Sequence, residues 1–478
     1  MIRAAATSFL NTPRVGSRTH GSLGARVSKV HGPIKTTLTL LEGNGVRLAM
    51  VCGDDCGGAA EAIKTVAGEA LALNTDRVLV FSTHAHSSCA LTKGELHNFK
   101  HGSKRDGTGL LPLGRQVLGD LKRAARELPS MLRPVQVWWA LGREDRITYN
   151  RKGRRADGSS YLMREEDRLA LGTDFRGDID ADAPVVCLKD EGGEPVTFLT
   201  QFTGHPITCY NPLAPVVYGG YPYAACEVLA RQYGRSCPVP VTFFQGFAGD
   251  TNSKEMFIGG LRRSRQFGRL LGQSYVAASK RMVPSRSESL QYAVETAQVP
   301  LRPLPSLRTL LRERREINDF IRRAEAGDED TLLCLGLNMT RKLSLRYRQK
   351  MVETMLPWSD WAIGLHKARK ASSVPEHLPI RVHVLRLGDV GLVGVGAEPF
   401  LGVGRQIKER SPLPLTIPCG YMDKYFGYVP DGPNTGDNEY MSAYYRYAPG
   451  TPPFRKPGGD VIARTAVSVL KRMVAEDG

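Results

Sequence analysis

Long apolar runs are missing from this chain of 478 residues: no stretch approaches the roughly 18 consecutive apolar residues that a bilayer-crossing helix needs. Paired cysteine spacing is missing too. The nine cysteines are odd in number, scattered, and free of any Cys-x-x-Cys step, which argues against both a disulfide framework and a structural zinc knuckle. Reduced thiols in a cytoplasmic protein are the simplest account. The start, Met1 to Leu10, has too few apolar residues in a row for the core of a secretory signal. Acidic residues are absent before Glu42 while Arg3, Arg14, Arg18, Arg26, Lys29 and Lys35 accumulate, a bias shared with transit peptides. Pro13 and Gly16 interrupt the amphipathic helix that such a peptide requires. Internal repeats and low-complexity linkers are also lacking, so a single elaborated catalytic domain over residues 1–478 is expected rather than a string of domains.

What is present is globular in composition, with 41% hydrophobic and 24% charged residues. The net charge of +17 is distributed unevenly, with a dense share between Arg302 and Lys370. Such a surplus attracts anionic partners in general but names none, which leaves an anionic-polymer-binding protein as the non-enzyme alternative. Because these charges interleave with Leu and Ile at helical spacing, a solvated helix face is the preferred reading, and no specific nucleic-acid partner is expected.

Along the chain, apolar runs at 46–52, 78–83, 185–188, 195–202 and 241–246 read as strands, and 58–73, 223–233 and 265–280 read as helices. This is α/β texture, sheets covered by helices. Residues 306–372 read as a helical, basic insertion. After it, 380–387 and 390–395 form an expected hairpin around Gly388-Asp389, and 460–476 an amphipathic helix.

Four places carry candidate chemistry. His84-Ala-His86 follows the apolar strand Val78 to Thr83, and side chains two apart on a strand share a face, so both imidazoles can converge beyond its end, the way a metal ligand and a proton-transfer group would be placed side by side. By itself such a step is more often a polar edge. His205, in Thr-Gly-His-Pro, follows another strand, where Pro206 ends the ladder. Glu398, in Gly-Ala-Glu-Pro-Phe, sits at the end of an apolar strand, where a carboxylate is costly unless it is paired, coordinates a cation or caps the helix beginning at Leu401. Finally, seven of the 17 tyrosines fall between Tyr421 and Tyr447, a density that marks a groove or a packed loop.

The ordered set Thr-His-x-His-Ser, Gly-His-Pro, Gln-Gly-x-x-Gly-Asp (Gln245 to Asp250), Gly-x-Glu-Pro-Phe and Gly-Tyr-Val-Pro, together with a strand ending in Asp54 and the Asn150-Arg151 step, resembles the N-terminal catalytic domain of the neutral or alkaline non-lysosomal ceramidase family in its bacterial branch. The resemblance runs from Thr12 to Tyr445. It implies mixed β-sheets covered by helices, and a zinc ion held by His84, His205, Glu398 and Tyr428. It further implies that His86 transfers protons, and that Arg151 and Tyr445 face the scissile carbonyl, with Tyr444 and Tyr447 as near alternatives because the family has Tyr-Glu where this chain has Tyr445-Arg446. Zinc with nitrogen and oxygen ligands and an open position lowers the pKa of a bound water to about 7, which suits hydrolysis of an amide. Two departures bear on the substrate. Asn252 stands at the family's serine position, and the chain ends soon after the tyrosines, without the immunoglobulin-like C-terminal domain of secreted ceramidases. The expectation is therefore a cytoplasmic zinc-dependent amidohydrolase whose small-molecule or N-acyl amide substrate need not be a lipid, with a specialised small metabolite as the alternative.

Overall fold

A computed structural model describes residues 1–19, 25–93, 109–234 and 238–476. The large sheet contains β1 (Ile2–Asn11), β2 (Ile34–Gly43), β3 (Val46–Gly53), β4 (Val78–Ser82), β5 (Arg133–Arg143), β6 (Asp182–Lys189), β7 (Pro195–Phe202) and β8 (Val241–Gln245). Their order is β8-β7-β6-β5-β1-β2-β3-β4, with the short strand Val283–Pro284 beside β5. Pairing is antiparallel except at the two ends, where β7 runs parallel to β8 and β3 to β4. A second sheet comprises β9 (Leu290–Pro300), β10 (His377–Leu387), β11 (Val390–Val395) and β12 (Leu415–Cys419), with β11 and β12 parallel.

Period-two alternation stacks these sheets into four layers. On β3, Leu48, Met50 and Cys52 point between the sheets, where they meet Leu385, Leu387 and Leu392, while Ala49 and Val51 point outward. The outward residues pack under α1 (Ala60–Leu71) and α2 (Pro112–Glu127) through Ile63, Ala67, Val117 and Leu121. The other half of the large sheet is covered by α3 (Gly220–Tyr233) and α4 (Gly260–Ser279), with Phe198 and Phe243 against Tyr221, Leu271 and Tyr275. The second sheet turns Val382, Val384, Val393 and Val395 outward.

The basic insertion is helical at α5 (Leu307–Glu325), α6 (Leu345–Glu353) and α7 (Leu356–Lys367), and then the chain supplies α8 (Leu401–Arg410) and α9 (Asp460–Ala475). Helices α7, α8 and α9 cover the outer face of the second sheet through Trp358, Val403, Ile407, Ile462 and Leu470. The expected hairpin at β10 and β11 is present. One segment of the insertion departs from the helical expectation: Leu333–Cys334 pairs with Leu337–Asn338 around Leu335 (φ 45°) and Gly336 (φ 80°). Two successive left-handed residues close a two-residue β-turn, and a helix cannot pass through them. Much of the insertion's charge is spent internally. Arg348 is fully buried and donates to the carbonyls of Leu343, Glu329 and Thr331, while Arg314 pairs with Asp360 and Arg446 with Glu313. Among the described residues no helix is long and apolar enough to cross a membrane.

Candidate metal centre

The C-terminal ends of β4, β7, β11 and β12 lead to one place, and each delivers a residue to it: His84, His205, Glu398 and the segment from Tyr421 to Tyr428. Strand ends of this kind are where α/β proteins gather functional groups.

His84 does not continue β4. It lies beyond Ser82 with φ 59°, a left-handed conformation. The amide of His84 donates to Ser82 Oγ (2.9 Å) and that of Ala85 to the Asp55 carbonyl (3.1 Å), so the turn is held on both sides. His84 and His86 do converge, with Nε2 atoms 3.1 Å apart, yet a left-handed turn brings them together rather than strand alternation. His205 follows β7 in an extended bridge to Asn252: its amide donates to the Thr251 carbonyl and its own carbonyl accepts from Ser253. Gln245 secures this loop from β8, accepting from the Gly204 amide and donating to the Gly204 carbonyl.

Glu398 is 6% exposed and places Oε2 3.0 Å from His205 Nε2 and 3.8 Å from His84 Nε2. It does not cap the following helix. The Leu401 amide donates instead to Asp250 Oδ1 (2.9 Å), which frees Glu398 to face the histidines. Ligand atoms of His84, His205 and Glu398 all lie within 4.8 Å of one another. Burial, aided by the Arg151 charge, pushes His205 well below its ordinary pKa, so the ring is neutral and offers a lone pair. Its Nδ1 lies 2.8 Å from the Ala248 carbonyl, an acceptor, so Nδ1 carries the proton and Nε2 faces Glu398 unprotonated. Two imidazoles, that of His205 neutral, and a buried carboxylate fit a divalent cation such as zinc. A second group, Cys56, His84 and His86, also meets metal-ligand spacing and shares His84 with the first.

Tyr428 pairs backbone to backbone with Glu398 in the two-residue ladder Glu398–Pro399 with Tyr428–Val429, and its ring lies 6.0 Å from that of His205. Burial pushes its phenol up, and Arg151, stacked 5.0 Å over the ring and hydrogen-bonded to it, pulls the other way. Arg151 is 6% exposed, donates to the Gly249 carbonyl (2.7 Å), and is held more firmly charged than an ordinary arginine by Tyr428 despite its burial.

The tyrosines divide. Tyr444 and Tyr440 pack their rings on Tyr428 at 4.9 and 5.3 Å, and Tyr447 stacks on Tyr444 at 5.4 Å. Tyr445 faces the opposite way, into the core under the second sheet, with its ring 5.2 Å from Trp358. The structure thus brings Tyr444 to the site and does not bring Tyr445. Asn252 is fully buried, opposite Tyr149 in the short ladder Thr148–Asn150 with Thr251–Ser253. Residues that the sequence did not single out complete the shell. Tyr421 packs its ring 4.3 Å from that of His84, Tyr425 reaches His84 Nδ1 at 3.3 Å, and Tyr210 packs 5.2 Å from His86 while its hydroxyl meets Tyr347 of α6 at 3.4 Å. Tyrosine density was the available signal for the first two; Tyr210 and Tyr347 left none.

No family model matches this chain, and no curated protein matches it. Among solved structures it is similar to neutral ceramidase from Pseudomonas aeruginosa, with a TM-score of 0.63 at 14% identity over 98% of this chain and 75% of the other. A structure described as ceramidase complexed with C2 gives 0.65 at 15% identity over 100% of this chain and 75% of the other. The chain has the neutral-ceramidase fold.

Proposed function

We propose that the protein is a cytoplasmic zinc-dependent hydrolase that cleaves an amide (N-acyl) bond, with the metal held by His84, His205, Glu398 and Tyr428. The observation that carries this reading is the convergence of two histidine nitrogens and a buried carboxylate within 4.8 Å, in a fold shared with ceramidases. Bound there, zinc would supply Lewis acidity toward the carbonyl and lower the pKa of a water to about 7. The protein's own groups do the rest. Arg151, fixed by the Gly249 carbonyl, turns its cation toward Tyr428 and offers charge for the developing oxyanion. Tyr444, by its contact with Tyr428, takes the donor role that the resemblance gave to Tyr445. His86, beside His84 yet more exposed than it, carries the proton toward the departing amine.

A compact metabolite is favoured over a long-chain lipid by the roof on His86, where Tyr210 is joined to Tyr347 of the insertion. Rates on short and long N-acyl amides decide between them: ceramide turnover comparable to that of water-soluble amides would count against the compact substrate. For the metal itself, purified protein should contain stoichiometric zinc and lose it on His84→Ala or His205→Ala, while His86→Ala keeps zinc and loses about 10²–10⁴-fold in turnover. Metal-free protein whose activity survives the two ligand changes would overturn the proposal.

A further inference from the structure

A histidine binds metal through one nitrogen only if the proton sits on the other, and the partner of that other nitrogen decides which tautomer prevails. For His205 a backbone carbonyl makes the choice. For His84 the partner is a hydroxyl, which can donate or accept, so the question is which way it points. The Tyr425 hydroxyl lies 2.7 Å from the Cys56 carbonyl and 3.3 Å from His84 Nδ1. A carbonyl only accepts, so the single hydroxyl proton goes to Cys56. Toward His84 the oxygen can then act only as an acceptor, and Nδ1 must be the protonated nitrogen. That leaves the Nε2 lone pair on the side of Glu398 and His86.

From this geometry we infer that Tyr425 is a positioning residue that fixes the tautomer and orientation of His84, an inference that rests on the metal-centre reading above.

Three further features hold Tyr425 to the task. Gly57 has φ +81°, and a Cβ there would lie 2.8 Å from Tyr425 Cε1, so the ring occupies space that only glycine leaves. Two residues before Tyr425, Asp423 binds the segment to β4 and α1: its amide donates to the Val80 carbonyl (2.7 Å), its Oδ1 accepts from the Val80 amide (3.2 Å), and its Oδ2 pairs with Lys64 at 2.5 Å. Lys64 is itself buried. The segment that carries Tyr425 is therefore pinned to the same strand that ends two residues before His84. Tyr421 provides the contrast. Its ring lies against His84 at 4.3 Å, but its buried hydroxyl makes no hydrogen bond and so cannot choose a tautomer.

The test compares zinc affinity, by chelator competition, in the wild type, Tyr425→Phe and Tyr421→Phe. Loss of an orienting partner outside the ligand shell typically weakens metal binding about 10–100-fold, and that loss is expected for Tyr425→Phe alone. Equal affinity for wild type and Tyr425→Phe overturns the inference, as does an equal loss in Tyr421→Phe, which would make the effect one of packing. Should Tyr425→Phe not fold, the His84 ring in metal-free wild type decides by ¹⁵N-resolved NMR: an Nδ1–H tautomer supports the assignment and an Nε2–H tautomer overturns it. A wild type that binds no zinc would sink the metal reading, while the tautomer measurement would still judge Tyr425.

Discussion

Adjacent tyrosines with opposite fates show what single residues decide here. Tyr444–Tyr447 forms one turn of 3₁₀ helix, in which residues three apart share a side and neighbours diverge. Tyr444 and Tyr447 accordingly stack at an interplanar angle of 22°, while Tyr445 turns into the core beside Trp358. Tyr444→Phe should lower kcat/KM by about 10²–10³-fold, the usual cost of removing one oxyanion donor, whereas Tyr445→Phe should leave kcat unchanged. Steady-state kinetics on one N-acyl substrate would check this, and the converse pattern would return the role to Tyr445. The sequence offered all three tyrosines but not their directions, because nothing in Tyr-Tyr-Arg-Tyr announces a 3₁₀ turn. His84 and Glu398 were more legible. A polar residue directly after an apolar strand has few places to go, and burial confines it to a cation or a partner. The convergence of His84 and His86 depends on a left-handed residue beyond the strand, of which strand alternation leaves no trace.

At the scale of the element, the start of α8 is held by a neighbouring loop rather than by its own preceding residues. Asp250 accepts from the Leu401 amide through Oδ1 and from Asn150 Nδ2 through Oδ2, and thereby ties the Gly249-Asp250 loop to the strand carrying Arg151. Burial, with Asp431 adding to it and the Leu401 hydrogen bond opposing, pushes the Asp250 carboxyl up to about 6. The unfolded value is about 3.9, so the native state holds this proton more tightly than the unfolded chain. The contribution is complete below about pH 4 and is lost as pH rises through about 6; a shift of two units corresponds to about 3 kcal/mol. Denaturant unfolding of the wild type and Asp250→Asn across this range should show the wild type losing that advantage as pH rises, because asparagine keeps the Oδ1 acceptor without the titration. Parallel pH profiles would contradict it. Element types and rough bounds were readable wherever hydrophobic period spoke, as at β3, β7 and α9. The hairpin at Leu333–Asn338 was hidden inside polar helical texture because its cause is the left-handed pair Leu335-Gly336, a backbone feature without periodicity.

On the scale of the whole molecule, the open question is whether the insertion is an appendage or part of the body. The apolar residues of its helices pack together with residues from outside it. Leu310 of α5 and Trp358 and Ala362 of α7 join the cluster beneath the second sheet, while Ile317, Phe320 and Tyr347 join the cluster that contains Tyr428 and Phe400. The insertion thus shares apolar packing with both the outer helices and the candidate metal centre, which supports one folding unit. Trp358 is the sharpest probe. It is 2% exposed, packs on Tyr445, and donates Nε1–H to the Thr451 carbonyl at 2.9 Å. Trp358→Ala removes a large buried ring and orphans that acceptor, which should cost about 3–5 kcal/mol. If the chain is one cooperative unit, the whole unfolding curve moves to lower denaturant by that amount, and far-ultraviolet dichroism and zinc release, followed on the same samples, report the same midpoint. An independent insertion predicts a different result: an early transition confined to part of the helical signal, with zinc retained until the second. Buried Arg446 favours the first outcome, since it lies between Tyr444 and Tyr447 yet pairs with Glu313 of α5, a bond that separate unfolding would have to break.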